Sequence, residues 1–426
     1  MTAKLLDDCF LHDKDRLLHS EALAILKERL GPVVGTESVA LADASGRIAA
    51  RSVVASRAIP GHTNAAVDGY AFSFAHYDPA RGSRLKIAGR AAAGHALGHA
   101  IAEREAARVF TGVTMPEGTD TVVMQEDVML VTSGGDLIVE LPPGVKSGIN
   151  RRLAGEDVAA GTVLVSAGDR LRPQDVAAIA ATGFGAVECF AKPKVAVISS
   201  GDEIIRAGNP FEPGKVYDAN APMLAALIRL AGAECEDLGV MPDKADAVAE
   251  QLRQAAARFD VLITTGGASR GEEDHLVKTL DAIGKLRMWQ LAIKPGRPMA
   301  FGQIGDCVVL GLPGNPVAVF VCFLLYACPL IAALGGGKWR EPRRFRLPAA
   351  FSLGKRKTGR REFWRGKIVE GTDGGPAVAK FERDGSGLIT SLRQSDGLIE
   401  IPEDARAISA MDPVDFIPYA EFGILS

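Results

Sequence analysis

The chain has no Cys-x-x-Cys pair. Its six cysteines (Cys9, Cys189, Cys235, Cys307, Cys322 and Cys328) have mostly apolar neighbours. That is the setting of small buried hydrophobes, and it argues against a zinc or iron–sulfur centre. An excess of charge is also missing: 49 Lys and Arg against 52 Asp and Glu give a net charge of −3. No broad surface is therefore marked for nucleic acid or an anionic membrane, and any anion site must be local. Asp7, Asp8, Asp13 and Asp15 stand near the start, where an export signal would carry a basic stretch followed by an apolar one, so a cytoplasmic location is expected. One apolar run, Pro316 to Leu334, approaches the length of a membrane span. It lacks flanking Lys or Arg clusters and contains Pro329, so it reads as a buried helix packed in a core or a dimer interface. There is no internal repeat or low-complexity tract.

At 426 residues the chain exceeds the roughly 250 residues at which single cores stop growing, and at least three domains are expected. Residues 16–31 read as an amphipathic helix stopped by Gly31-Pro32. From about Val34 to Gly185 the pattern becomes short, glycine-punctuated apolar runs that suit small β-rich domains. At Lys194 strands and helices begin to alternate, which predicts a central three-layer α/β domain with a mostly parallel sheet and ligands at the carboxyl ends of its strands. After Trp339 the chain returns to alternating strands, consistent with a small C-terminal β-barrel or sandwich. Arginine and lysine cluster there at 343–346 and 355–361, read with equal weight as a solvated face or as anion recognition.

The strongest chemical signal is Thr264-Thr265-Gly266-Gly267-Ala268-Ser269-Arg270, which follows the apolar Val261-Leu262-Ile263 and leads to Asp274. Glycines at a strand end let a ligand approach the backbone, and the N–H groups of a following helix favour phosphate or another oxyanion. Asp274 has the wrong sign for phosphate alone and points to a bridging cation or a proton-transfer role. Ser200-Gly201-Asp202-Glu203 forms a second such turn, so Glu203 and Asp274 are candidates to hold Mg²⁺ or to act as base. Leu312-Pro313-Gly314-Asn315-Pro316 is a stiff third loop, and Lys294-Pro295-Gly296-Arg297 sets two cations on a fourth. In the β-rich half, Asn64 to Ala71 and Arg151 to Asp157 place carboxylates beside glycines. Each is weak alone, since Asp-Gly is a common turn.

Taken in order, these segments resemble the molybdopterin molybdenumtransferase family, the group containing bacterial MoeA and the gephyrin E domain. The landmarks are Val67-Asp68-Gly69-Tyr70-Ala71, Phe110-Thr111-Gly112, Met124-Gln125-Glu126, Arg151 to Asp157, and the four glycine or proline loops above. The resemblance covers nearly the whole chain and implies four domains. These are an α/β domain (16–35 and 188–341), a connecting domain (36–53 and 162–187), a β-rich lobe (54–161) and a C-terminal β domain (342–426). It implies a homodimer whose sites form between the α/β domain of one subunit and the lobe of the other. It also implies a reaction in which adenylylated molybdopterin and molybdate give molybdenum cofactor and AMP with Mg²⁺, and as partners a molybdopterin adenylyltransferase and recipient molybdoenzymes.

By motif position the resemblance assigns Asp68, Asp157, Glu203, Asp243 and Asp274 as catalytic carboxylates, with Glu203 and Asp274 on the metal. Substrate contacts carried over are Thr111, Glu126, Arg152, Gly201, Asp202, Gly266, Gly267, Ser269, Arg270, Lys294, Arg297, Pro313, Gly314, Asn315, Pro316 and Ser391. The chain departs from the family pattern at Ala65 and Ala318, where a serine is common, at Gln290, often a lysine, and at Arg270, usually small and apolar. These departures keep open a divergent paralogue that handles tungstate or only hydrolyses the adenylylated pterin, and a pterin-binding scaffold without turnover.

Overall fold

The computed structural model describes residues 17–241, 245–266, 279 and 282–425. The central sheet has six strands in the order Glu234–Met241, Lys194–Ser200, Val261–Thr265, Cys307–Leu312, Pro298–Ile304 and Lys285–Gln290. The first four are parallel, Pro298–Ile304 is antiparallel to them, and Lys285–Gln290 is antiparallel to Pro298–Ile304. Its strand residues alternate between two cores. Val195, Val197, Val261, Ile263, Val308 and Leu310 pack on one side with helix Asn220–Leu230. Ala196, Ile198, Leu262 and Val309 pack on the other with Val248 and Leu252 of helix Ala245–Ala256. Covering a parallel sheet on both faces makes the three layers expected from the alternating sequence pattern.

Pro316–Leu334 is the long apolar helix, and 83% of its most apolar window is buried inside the protein. It runs as α-helix to Cys322, widens to a π-turn over Phe323–Ala327, and resumes as α-helix from Cys328. Pro329 lacks an N–H and its ring would crowd the carbonyl four residues back, which falls in that wider turn. The first helix spans His19–Arg29 and buries His19, Ala22 and Leu26 against the same core.

The β-rich lobe is a six-stranded sheet in the order Thr121–Met124, Gly69–Phe72, Glu105–Val109, Ser83–Arg90, Asp136–Leu141 and Met129–Ser133, with cores on both faces. Between it and the α/β unit lie the pairs Thr36–Ala40 with Ala186–Phe190 and Val53–Val54 with Val163–Val165, together with helix Pro173–Ala181. The C-terminal unit is a six-stranded sheet built on the long strand Arg361–Glu370. One of its strands, Ile293–Lys294, comes from the α/β half of the chain and pairs in parallel with Arg361 and Glu362. That pairing joins the two units and fixes the cleft between them.

The basic clusters of this last unit divide: Arg343, Arg346, Lys355 and Lys357 are exposed on a solvated face, while Arg344, Arg356 and Arg361 turn inward. Arg344 and Arg361 both pair with the buried carboxylate of Glu400 at 2.7 Å, and Arg361 also holds Glu403 at 2.9 Å. Arg356 is buried against Glu362 at 3.2 Å. The charges of these three arginines are taken up internally.

Candidate active site

The three glycine turns after parallel strands converge at one edge of the central sheet. Gly266 has φ of +83°, and a Cβ there would stand 2.4 Å from the Ser200 carbonyl oxygen. Only glycine lets the second turn lie directly against the first. A Cβ on Gly314 would in turn be 3.8 Å from Cα of Gly266, so the third loop closes on the other two. Asn220 donates from Nδ2 to the Gly314 carbonyl at 2.7 Å, and Asp218 caps the helix that begins at Asn220 through the amides of Asn220 and Ala221, both at 3.0 Å. Asp202 and Glu203 are exposed at this edge. A Cβ on Gly201 would meet Oε2 of Glu203 at 2.5 Å, so that carboxylate folds back over its own turn. Gly267, Ser269, Arg270 and Asp274, with Asp243 beyond the neighbouring strand, lie outside the described residues.

Beside this edge, between the α/β and C-terminal units, is a cleft of about 550 Å³. Pro313, Gly314, Asn315 and Ala318 of the α/β unit line it together with Lys294, Trp364, Arg365 and Asp384 of the C-terminal unit. Gly296 shapes its floor: with φ of +103°, a Cβ there would stand 2.3 Å from Cys322 Sγ. Lys294 is anchored through Nζ at 3.5 Å from Glu362 Oε2. The same oxygen accepts a 2.8 Å hydrogen bond from the Trp364 indole. Arg365 is 6% exposed and donates from Nε to Ser391 Oγ at 3.0 Å. Its Nη2 reaches the carbonyls of Arg383 and Gly385 at 3.4 and 3.3 Å. Two cations held this way in a small cleft can bind an oxyanion without first being ordered.

Two sequence-based site residues are placed differently from expectation. Ser391 is fully buried, and its hydroxyl is used internally, accepting from Arg365 and donating to the Leu388 carbonyl at 2.6 Å. It acts behind Arg365, with no surface of its own for a ligand. Arg297 is exposed and is not among the residues lining the cleft, although its neighbours Gly296 and Pro298 are. Pro316 starts the buried helix just beyond the cleft wall. Sequence reasoning missed Arg365. It lies in a run, Glu362 to Gly366, that is buried at every position, so no alternation marks an inward-facing charge.

A second cluster sits on the lobe. Asp68 Oδ1 accepts from the Thr111 amide at 2.8 Å and from its hydroxyl at 2.9 Å. These two bonds hold its carboxyl below the usual aspartate range, with a smaller contribution from the Arg108 charge. Arg108 donates to the Gly69 carbonyl and to Gln125, which in turn donates to Glu126 at 2.8 Å. Arg90 and Arg108 both lie over the Phe110 ring, at 4.7 and 4.9 Å. Strand Arg151–Arg152 pairs with Asn64–Ala65, which brings the two acidic runs of the lobe together, with Asp157 exposed and its amide donating to the Ile59 carbonyl at 3.1 Å. The lobe cluster therefore gathers Asp68, Thr111 and Glu126 from three separate segments, with the backbone of Arg152 on a strand paired to Asn64–Ala65.

Three segments match known protein families: residues 18–183 the MoeA N-terminal region (domain I and II), 196–333 a probable molybdopterin binding domain, and 346–419 the MoeA C-terminal region (domain IV). The molybdopterin molybdenumtransferase of Haemophilus influenzae is 34% identical over 400 residues, covering 94% of this chain and 98% of the relative. That of Nostoc sp. is 32% identical, covering 88% and 87%. The crystal structure of the molybdopterin biosynthesis moeA protein from Pyrococcus horikoshii OT3 superposes with a TM-score of 0.81 at 30% identity, covering 95% of this chain and all of that one.

Proposed function

The chain belongs to the molybdopterin molybdenumtransferase family of enzymes, and from that premise we propose that it inserts molybdate into adenylylated molybdopterin, releasing AMP and molybdenum cofactor. The observation that carries the reading is the cleft in which Lys294 and Arg365 are both pre-positioned beside the convergent glycine turns. The turns offer backbone amides and close approach for a phosphate-bearing pterin, and the two cations suit a tetrahedral oxyanion. Ala318 stands in the cleft wall, so the departure from serine removes a hydroxyl from the oxyanion side. Gln290 is not a lining residue, and the missing lysine does not thin the cation pair described here.

Glu203 fits as a ligand for Mg²⁺, since an exposed carboxylate beside a phosphate-binding turn supplies the hard oxygen donor that ion prefers; Asp274 is its proposed companion. When bound, the ion would neutralise charge developing on the phosphate oxygens. The protein's own part is to hold the pterin phosphate at the turns and the oxyanion at Lys294 and Arg365. Asp68, kept ionised by Thr111, and Asp157 belong to the lobe. That lobe is built on cores separate from the α/β unit, and the split of site residues between the two units is the motive for a homodimer whose partner lobe completes each site. A cytoplasmic location and exchange with a molybdopterin adenylyltransferase and recipient molybdoenzymes belong to the same proposal.

Reconstitution with adenylylated molybdopterin, Mg²⁺ and molybdate, reading AMP release and active cofactor, tests it. Wild type is expected to turn over, and Lys294→Ala and Glu203→Ala to fail while remaining folded. Normal activity in both variants would sink the assignment. Mixed Asp68→Ala and Glu203→Ala subunits are expected to recover part of the activity; no recovery after subunit exchange places the site within one subunit.

A further inference from the structure

The cleft that presents Lys294 and Arg365 also presents a carboxylate, Asp384, which a simple anion site would exclude. Its place is built. Arg365 Nη2 reaches the carbonyls on either side of it, those of Arg383 and Gly385. Lys380 Nζ contacts Oδ1 at 2.7 Å and lies 5.3 Å from the centre of the Trp364 ring. No other hydrogen bond to this carboxylate is formed among the described residues, so Oδ2 is free to meet a ligand. The Lys380 hydrogen bond outweighs partial burial and, with the Lys380 charge and smaller contributions from Lys294 and Arg365, holds the carboxyl below the usual aspartate range. The cleft therefore carries an ionised carboxylate, paired with Lys380 on one oxygen, beside the cations that would hold an anion.

Resting on the reading of this cleft as the oxyanion site, we propose that Asp384 selects among tetrahedral oxyanions by their basicity, admitting molybdate and rejecting sulfate. Both are dianions of the same shape, so the two cations alone distinguish them poorly. A carboxylate facing a bound dianion is repelled unless a proton from solvent is shared between the two oxygens. Molybdate is a stronger base than sulfate and accepts that proton at lower cost; sulfate is left facing a bare like charge. Tungstate, close to molybdate in basicity, is admitted with it. Specificity then arises from an unfavourable contact with the competitor, and it weakens binding of the preferred anion less.

The test is calorimetric titration of the full chain with molybdate alone and sulfate alone, in wild type and Asp384→Asn. Each titration is run in buffers of different ionisation enthalpy to count proton uptake. Wild type is expected to take up a proton on binding molybdate. In Asp384→Asn sulfate is expected to tighten on the order of tenfold and molybdate by much less, with proton uptake lost. Equal tightening of both anions, no change in either, or unchanged proton uptake overturns the role of Asp384 while leaving the cleft assignment in place. Molybdate binding that Lys294→Ala does not weaken overturns the cleft assignment itself, and this proposal with it.

Discussion

Ser391→Ala isolates how the buried part of the molecule works for the cleft. The hydroxyl accepts the 3.0 Å bond from Arg365 Nε, and the guanidinium's remaining contacts to Arg383 and Gly385 are long, at 3.4 and 3.3 Å. Removing the hydroxyl leaves a charged donor unsatisfied in a site that is 6% exposed. A hydrogen bond to a charged group is worth roughly 1.5–3 kcal/mol. If all of it were expressed in ligand binding, oxyanion affinity would fall by about 10- to 150-fold. Part is expected to appear as lost stability, so the lower end is the expected result. Molybdate titrations of wild type, Ser391→Ala, Arg365→Ala and the double variant form a closed cycle. Because Ser391 acts through Arg365, the double variant is expected to match Arg365→Ala alone. Full additivity, or no effect of Ser391→Ala, would refute the reasoning and return Ser391 to direct contact or to irrelevance.

The remaining predictions concern folding and the lobe. His19 is buried, its Nδ1 2.8 Å from the Tyr326 hydroxyl, and burial, then Arg361 and Arg344, push its pKa from 6.5 down to about 3. Its neutral form is the folded one, so the stability it protects is intact above pH 6.5 and falls as the unfolded chain binds a proton between 6.5 and about 3. By pH 5.5 the loss is about 1.4 kcal/mol, and urea unfolding of His19→Gln is expected to lack that component of the acid slope. Thr111→Ala removes one of the two hydrogen bonds to Asp68 and keeps the amide bond; NMR titration is expected to show the Asp68 pKa rising part of the way to its ordinary value. Ile198→Ala opens a cavity in the core beneath helix Ala245–Ala256, with an expected cost of about 2–5 kcal/mol in denaturant unfolding.

The local pattern of the chain determined a good deal. Val195 to Ile198 and Val261 to Ile263 are apolar at consecutive positions, and such runs are stable only when a sheet is covered on both faces, which is how these strands pack. The glycines at 201 and 266 and the prolines around 314 declared strand-end turns, because backbone conformation is a local property that residue type constrains directly. The apolar run from Pro316 was also legible as a buried helix, although its π-turn was not. Tertiary structure alone decided which loops share a cleft. The strand Ile293–Lys294 joins the C-terminal sheet, and only that long-range pairing brings Lys294 into one cleft with Arg365 and Asp384. Burial likewise decided that Ser391 serves Arg365 while Arg297 faces solvent, since a side chain's partner depends on chain segments tens of residues away that no local periodicity records.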